Sequence, residues 1–229
     1  MNALFLTDSL GYPRVDNQGT SASEVWTYTV RDQAQKKSCK VSFFFDMKPF
    51  RDTRSLLVDV EKHCLSYSPD LIILQVGIVD CYPRALTKIE LQVVSRLPII
   101  NQLSKAFVKK YYKKLVRKRN IAYVPLAEYK QNLIKLKEFF PKANWLVIPI
   151  APASQSYMDA NPLISSRIEA YNAIQEVVFS DAYKNDIYKN CDLEKVFLED
   201  NHHLSKYGHK IVSSGVFRHL HNYVLNKDN

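Results

Sequence analysis

The chain has 229 residues, of which 46% are hydrophobic and 24% charged, a balance typical of a globular protein large enough to bury a substantial core. Only five residues are glycine, which argues against glycine-rich nucleotide loops and against a turn-dense all-β fold. The net charge is +9, no apolar run approaches the roughly 18 residues of a membrane span, and no secretory signal precedes the first strand, so we expect a single cytoplasmic domain over residues 1–229.

Strand and helix patterns alternate along the whole chain. Short apolar runs predict five strands, at residues 3–7, 41–46, 71–76, 145–148 and 195–198. Apolar residues at helical spacing predict helices at about 21–37, at 56–64, in a long segment after Pro98, at 126–140, at 164–178 and at the C terminus. This alternation predicts one parallel sheet with helices on both faces.

The long helix after Pro98 carries much of the positive charge. Its apolar residues recur every four positions and predict a stripe that faces the core: Leu103, Phe107, Tyr111 and Leu115. Its basic residues are Lys105, Lys109, Lys110, Lys113, Lys114, Arg117, Lys118 and Arg119. Two interpretations stay open for them: a solvated helix face, or a contact for an acidic glycan or lipid headgroups. Nucleic acid is not expected, because no recognised binding motif accompanies the helix.

The four cysteines show neither disulfide nor metal-site spacing. Cys39, Cys64, Cys81 and Cys191 form no C-x-x-C pair and have no histidine cluster around them, so we interpret them as reduced thiols that are mostly buried. Cys81 follows Gly77 closely, but nothing in the sequence places a base beside it. The sequence predicts no metal and no organic cofactor.

Three polar clusters follow predicted strands, at residues 7–11, 77–84 and 200–205. The carboxyl ends of parallel strands meet at one edge of a sheet, where ligands bind. A serine nucleophile needs a base that a carboxylate orients, so Ser9, His203 and Asp200 are the candidate triad. His202 competes with His203 as base, and the Asp-x-x-His spacing favours His203. Backbone N–H groups of Ser9 and Gly77 are candidate oxyanion donors.

This arrangement resembles the SGNH (GDSL-like) hydrolase family. The family's first block, Gly-Asp-Ser-Leu, is Thr7-Asp8-Ser9-Leu10 here, its third block, Gly-x-Asn-Asp, is Gly77-Ile78-Val79-Asp80, and its fifth block, Asp-x-x-His, is Asp200-Asn201-His202-His203. The resemblance implies a three-layer α/β/α sandwich with a flavodoxin-like parallel sheet of about five strands. It also implies that Ser9 is the nucleophile, His203 the base and Asp200 its orienting partner. We interpret His209, six residues after His203 in the predicted final helix, either as structural or as a support for the triad.

The oxyanion site departs from the family pattern. The third-block asparagine is replaced by Val79, which cannot donate a hydrogen bond, and Gly19 is the only nearby counterpart of the second-block glycine. We interpret the oxyanion hole as depleted or rebuilt. Asp80 remains as the last residue of that block. We hypothesise that Arg84, just beyond the Gly77 turn, supplies positive charge to the oxyanion or to an acidic substrate.

Three functions are consistent with these residues. The first is a serine-dependent esterase that removes small acyl groups, such as acetyl, from carbohydrate through an acyl-enzyme on Ser9. The second is an O-acetyltransferase that uses the same triad and a surface-polysaccharide hydroxyl as acceptor. The third is a catalytically weakened scaffold that binds an anionic glycan or a membrane surface, peripheral to the inner membrane, through residues 105–119. The oligomeric state is left open.

Overall fold

A computed structural model describes residues 1–14, 20–96 and 98–228, without the side chains of 98–100, 227 and 228. Gly19, the proposed second-block glycine, lies outside the described residues. Four parallel strands form one sheet in the order β2-β1-β3-β4, where β1 is Asn2–Thr7, β2 is Ser42–Met47, β3 is Leu71–Gln75 and β4 is Asn144–Val147. The predicted parallel sheet is therefore confirmed.

The central strands are apolar throughout because helices cover both of their faces. β1 and β3 pair in register, with Leu4 opposite Ile72 and Leu6 opposite Leu74, and all four side chains are completely buried. Such strands show no alternation of polar and apolar residues. β2 lies at an edge of the sheet and is only half-buried, whereas its run of three phenylalanines predicts a buried strand.

Ten α-helices lie in the described part of the chain. They are α1 (Trp26–Lys36), α2 (Thr53–Asp59), α3 (Ile78–Cys81), α4 (Lys88–Ser95), α5 (Pro98–Arg119), α6 (Leu126–Phe139), α7 (Gln155–Ala160), α8 (Ile164–Phe179), α9 (Leu193–Val196) and α10 (Lys206–Asp228). α1 packs against α10, and α6 packs against both α2 and α8. These two groups form the outer layers of the predicted α/β/α sandwich.

The fifth predicted strand, at 195–198, is wrong for the described residues. Asp192 caps the short helix α9 there, accepting a hydrogen bond from the Glu194 backbone N–H at 3.2 Å. The chain that follows pairs with its own downstream segment: Leu198 N donates to His203 O, and Ser205 N donates to Val196 O. The backbone of residues 196–198 therefore makes its hydrogen bonds with residues 203–205 and does not join the sheet.

The core-facing stripe predicted for α5 is also wrong. Leu103, Phe107 and Tyr111 are 67%, 55% and 40% exposed. The helix instead turns toward the protein the side that carries Val116, which is completely buried, and Tyr112, which donates from its hydroxyl to Pro83 O. Both sides of the helix hold apolar residues, so the period alone did not distinguish them.

Candidate active site

Ser9 lies in a single 3₁₀ turn directly after β1. The turn is fixed by the neighbouring Asp8, whose side chain accepts from the Leu10 backbone N–H at 2.9 Å and whose own N–H donates to Gln75 O in β3. Gly11 ends the turn, where a Cβ atom would lie 2.2 Å from the Thr7 hydroxyl. α1 adds two further hydrogen bonds, from the Trp26 indole to Leu10 O and from the Thr27 hydroxyl to Gly11 O.

Asp200 and His203 lie in the loop that replaces the expected strand. One oxygen of the Asp200 carboxylate accepts from the backbone N–H groups of His202 and His203, both at 2.9 Å. The other lies 2.7 Å from His203 Nδ1. Burial alone would raise the pKa of Asp200, but these hydrogen bonds outweigh it and hold that pKa well below its usual range. Asp200 is thus a carboxylate that orients the His203 ring.

A cavity of about 490 Å³ brings the first and last clusters together. Its lining comes from four segments of the chain and consists of Ser9, Tyr12, Arg14, Pro49, Phe50, Val79, Tyr82, Arg84, His202 and His203. Ser9 and His203 therefore open onto the same space, as expected for a nucleophile and its base. The roles of the triad remain predictions.

His202 and His209 have other surroundings. His202 Nδ1 lies 3.3 Å from the Tyr157 hydroxyl, and its ring meets Tyr82 edge-on. Burial and the adjacent His203 lower the pKa of His202 to about 4, so its ring is neutral near pH 7. His209 is buried between the Thr20 hydroxyl and the Trp26 backbone N–H, away from the cavity lining.

Two residues of the third block, Gly77 and Asp80, make structural contacts away from the cavity. Gly77 has φ of +121°, and a Cβ there would lie 2.6 Å from the Tyr129 hydroxyl, so its backbone shape requires glycine. Neither Gly77 nor Asp80 belongs to the described cavity lining. Asp80 is completely buried and accepts from the backbone N–H and hydroxyl of Thr53, at 2.9 and 2.6 Å. The expectation of a substrate contact at Asp80 is corrected: it anchors the start of α2.

Arg84 does line the cavity, and two tyrosines hold its side chain. Its guanidinium carbon lies 4.4 Å from the centre of the Tyr82 ring and 4.5 Å from that of Tyr123. Its backbone N–H donates to Ile121 O, which fixes the main chain at the same place. Cation–π contact with two rings restricts the movement of the planar guanidinium.

Two acidic side chains beside the site are buried and hold protons at unusually high pH. Burial raises the pKa of Asp8 to about 7 and that of Asp80 to about 7. Arg51 lies near Asp8 and is only 1% exposed. It donates to Thr7 O and forms ion pairs with Asp46 and Asp59. Its charge partly opposes the effect of burial on Asp8.

Sequence reasoning missed five residues of the site. Tyr123 contacts Arg84, while Tyr12, Arg14, Pro49 and Phe50 line the cavity. Arg14 lies 3.6 Å from Asp200. Its position shortly after Ser9 in the sequence is the one signal that could have predicted its place in the site. Phe50 is 87% exposed with φ of +58°, a backbone shape that phenylalanine rarely adopts and that the sequence does not reveal.

The described residues show no second nucleophile among the cysteines and no metal site. All four cysteines are free thiols, and burial raises the pKa of Cys81 far above its usual range, so it is not a nucleophile at neutral pH. Within residues 1–14, 20–96 and 98–228, no group of three or more histidine, cysteine or acidic side chains is placed to hold a metal ion. None of the described helices combines the length and apolarity that crossing a membrane requires.

Comparison with known proteins gives matches of structure only. No protein-family model and no curated sequence matches the chain. The lipase/acylhydrolase from Enterococcus faecalis superimposes with a TM-score of 0.67 at 13% identity, covering 96% of this chain and 94% of that one. TesA gives 0.64 at 12% identity, covering 95% and 97%. A catalytic mutant of Axe2, an acetylxylan esterase from Geobacillus stearothermophilus, gives 0.63 at 16% identity, covering 95% and 92%.

These matches run over nearly the whole chain, at identities that establish architecture alone. They agree with the parallel sheet and with the helices on its two faces. The chain has the fold of the SGNH hydrolases.

Proposed function

We propose that the protein is a serine esterase whose acyl-enzyme forms on Ser9. The observation that carries this proposal is the cavity shared by Ser9 and by a His203 that Asp200 orients at 2.7 Å. Because His203 Nδ1 faces the Asp200 carboxylate, that nitrogen carries the hydrogen and Nε2 is left as the base. The fold shared with esterases and acylhydrolases agrees with this assignment.

The reaction follows from these roles. Ser9 Oγ attacks the carbonyl carbon of the ester while His203 Nε2 takes the hydroxyl proton. The tetrahedral intermediate collapses, the bond to the alcohol oxygen breaks, and His203 returns the proton to that oxygen. Water then attacks the acyl-enzyme in the same way, which releases the carboxylic acid and restores Ser9. With a sugar hydroxyl in place of water, the same steps give an O-acetyltransferase.

Acetylated carbohydrate is the substrate class we infer for this site. Exposed aromatic rings at the cavity, from Tyr12 and Phe50, offer flat apolar faces of the kind that pack against the C–H face of a sugar ring. The structural neighbour Axe2 is an acetylxylan esterase, which agrees with this class. Val79 lines the cavity where the family has asparagine, and its side chain has no hydrogen-bond donor, which leaves backbone N–H groups such as that of Ser9 to stabilise the oxyanion.

The test is hydrolysis of p-nitrophenyl acetate by the wild type and by Ser9→Ala under identical conditions. We expect the activity to fall at least about a thousandfold in the variant, because the acyl-enzyme cannot form. An acetylated oligosaccharide is the second substrate, with released acetate as the readout. Equal rates for the two proteins on both substrates would reject Ser9 as nucleophile.

A second candidate function is a binding scaffold that docks on an anionic membrane through α5. The observation that favours it is the outward face of that helix, where Phe107, Lys110, Tyr111 and Lys114 follow the spacing that places residues side by side. The rings of Phe107 and Tyr111 lie 4.9 Å apart, with Lys110 above Tyr111. Exposed aromatic residues among lysines suit a surface with apolar depth and negative charge.

Sedimentation with vesicles tests this candidate. The wild type should bind vesicles of phosphatidylcholine and phosphatidylglycerol, bind neutral ones weakly, and dissociate in salt. Lys110→Glu with Lys114→Glu should abolish binding, while Lys130→Glu with Lys142→Glu, which makes the same change in charge on exposed residues elsewhere, should not. The binding-scaffold function requires that the protein binds these vesicles and hydrolyses no ester. Concentration-dependent dimerisation through α5, without vesicle binding, would exclude it.

A further inference from the structure

Arg84 is the cation of the cavity that no described carboxylate neutralises. Ion pairs engage many arginines of the described chain, for example Arg51 with Asp46, Arg119 with Glu90 and Arg218 with Asp186. Arg14, the other arginine of the cavity, lies beside Asp200. Among the residues described, Arg84 has no carboxylate within ion-pair distance, and its buried Nε–H donates to no protein acceptor.

The structure also fixes this guanidinium in place. The rings of Tyr82 and Tyr123 both contact it, with centres 4.4 and 4.5 Å from its central carbon, and the Arg84 backbone N–H donates to Ile121 O. Stacking covers the faces of a guanidinium and leaves its edge, where the N–H donors lie. A fixed edge presents two parallel donors to a carboxylate or phosphate and loses little side-chain entropy when it binds one.

We propose that Arg84 forms an anion subsite and that the substrate is an ester of an acidic molecule, such as an acetylated sugar acid. This inference rests on the proposed esterase function and names its substrate class. The alternative role for Arg84, stabilising the oxyanion, would require contact with the reacting carbonyl in every ester. An anion subsite instead affects only those esters that carry a separate negative charge.

Two pairs of measurements separate these roles. The first compares acetylated methyl galactoside with acetylated galacturonic acid as substrates for the wild type, Arg84→Ala and Arg84→Lys. For the acidic substrate, Arg84→Ala should raise KM at least about tenfold with little change in kcat, because the charge-assisted pair with the substrate is lost. Arg84→Lys should recover part of the lost affinity for the acidic substrate, since lysine keeps the positive charge but lacks the paired N–H donors of the guanidinium. The neutral substrate should be unaffected.

Lys88→Ala is the control for the contact with the Tyr123 ring, because Lys88 also lies over that ring, at 5.0 Å, but outside the cavity lining and paired with Asp52. It removes a cation from the same ring and should leave both KM values unchanged. A similar fall in kcat for both substrates in Arg84→Ala would overturn the subsite and assign Arg84 to the oxyanion. Unchanged kinetics for both would overturn it as well.

The second measurement does not depend on turnover. Calorimetric binding of acetylated galacturonic acid to Ser9→Ala is compared with binding to Ser9→Ala/Arg84→Ala. Binding that is lost with Arg84 supports the subsite even if the wild type hydrolyses no ester, in which case only the esterase proposal fails. Equal binding by the two proteins overturns the subsite whatever the activity of the wild type.

Discussion

Two adjacent histidines face the cavity with opposite electrostatic surroundings. His203 is tied to the Asp200 carboxylate at 2.7 Å, which stabilises the imidazolium that forms when the ring takes a proton. His202 is packed against Tyr82 and Tyr157, and its lowered pKa of about 4 keeps it neutral. A carboxylate partner, more than closeness to the cavity, distinguishes a general base from a packing residue.

The first prediction separates these two histidines. His203→Gln should lower kcat for p-nitrophenyl acetate at least about a hundredfold, because general-base catalysis contributes roughly 10²–10⁴. His202→Gln keeps a polar side chain at a packing position and should change kcat less than about tenfold. Circular dichroism of both variants verifies that the fold is retained. Equal losses for the two variants would contradict the assignment of His203 as base.

At the scale of elements, the connection from β3 to α3 depends on one backbone shape. Gly77, directly before α3, has φ of +121°, and the Tyr129 hydroxyl and Ile150 Cδ1 lie at 2.6 and 2.7 Å from where its Cβ would be. The short helix that follows carries Val79 to the cavity and Asp80 to its contact with Thr53. Any side chain at position 77 therefore disturbs both the packing and the site.

The second prediction concerns this connection. Gly77→Ala should reduce the free energy of unfolding by about 2–4 kcal/mol, the sum of an unfavourable backbone conformation and overpacking. Urea denaturation measures the change. Ser38→Gly is the control, since Ser38 also has positive φ, at +55°, and glycine there should change stability by less than about 1 kcal/mol. An unchanged denaturation midpoint in Gly77→Ala would show that the turn relaxes without cost.

At the scale of the whole molecule, stability depends on buried groups whose effects oppose each other as pH changes. Asp8 and Asp80 have folded-state pKa values raised to about 7, so folding favours their protonated forms and their contribution falls as pH rises from about 4 to 7. His202 and His209 have pKa values lowered to about 4, so their contribution falls as pH drops below about 6.5. Because the two effects oppose each other, the pH dependence of wild-type stability does not reveal either of them.

The third prediction isolates the contribution of Asp8. Asp8→Asn keeps an acceptor for the Leu10 N–H and has no charge to bury. The stability of the variant relative to the wild type should increase with pH between about 4 and 7 and then stay constant, with a gain of about 2 kcal/mol or more at pH 8. Urea denaturation at pH 4.5, 6 and 8 measures it. A difference between the two proteins that is the same at all three pH values would mean that Asp8 is already ionised in the folded state.

The sequence alone was sufficient for the features that local patterns encode. Apolar runs without alternation predict central parallel strands, and β1, β3 and β4 lie where those runs are. The spacing of Asp200 and His203 requires only a local turn, so their pairing was predictable from four residues. The resemblance of three short blocks to SGNH hydrolases likewise predicted the fold that the structural matches support.

Tertiary structure decided whatever depends on contacts distant along the chain. The segment at 195–198 has strand-like residues, yet pairing with 203–205 removed it from the sheet. Leu103 and Phe107 have the spacing of a buried stripe, but the other side of α5 fits against the protein. Tyr123 and Tyr82 meet on Arg84 only after the chain folds. Periodicity describes one element at a time, whereas burial and the shape of a cavity depend on which elements meet.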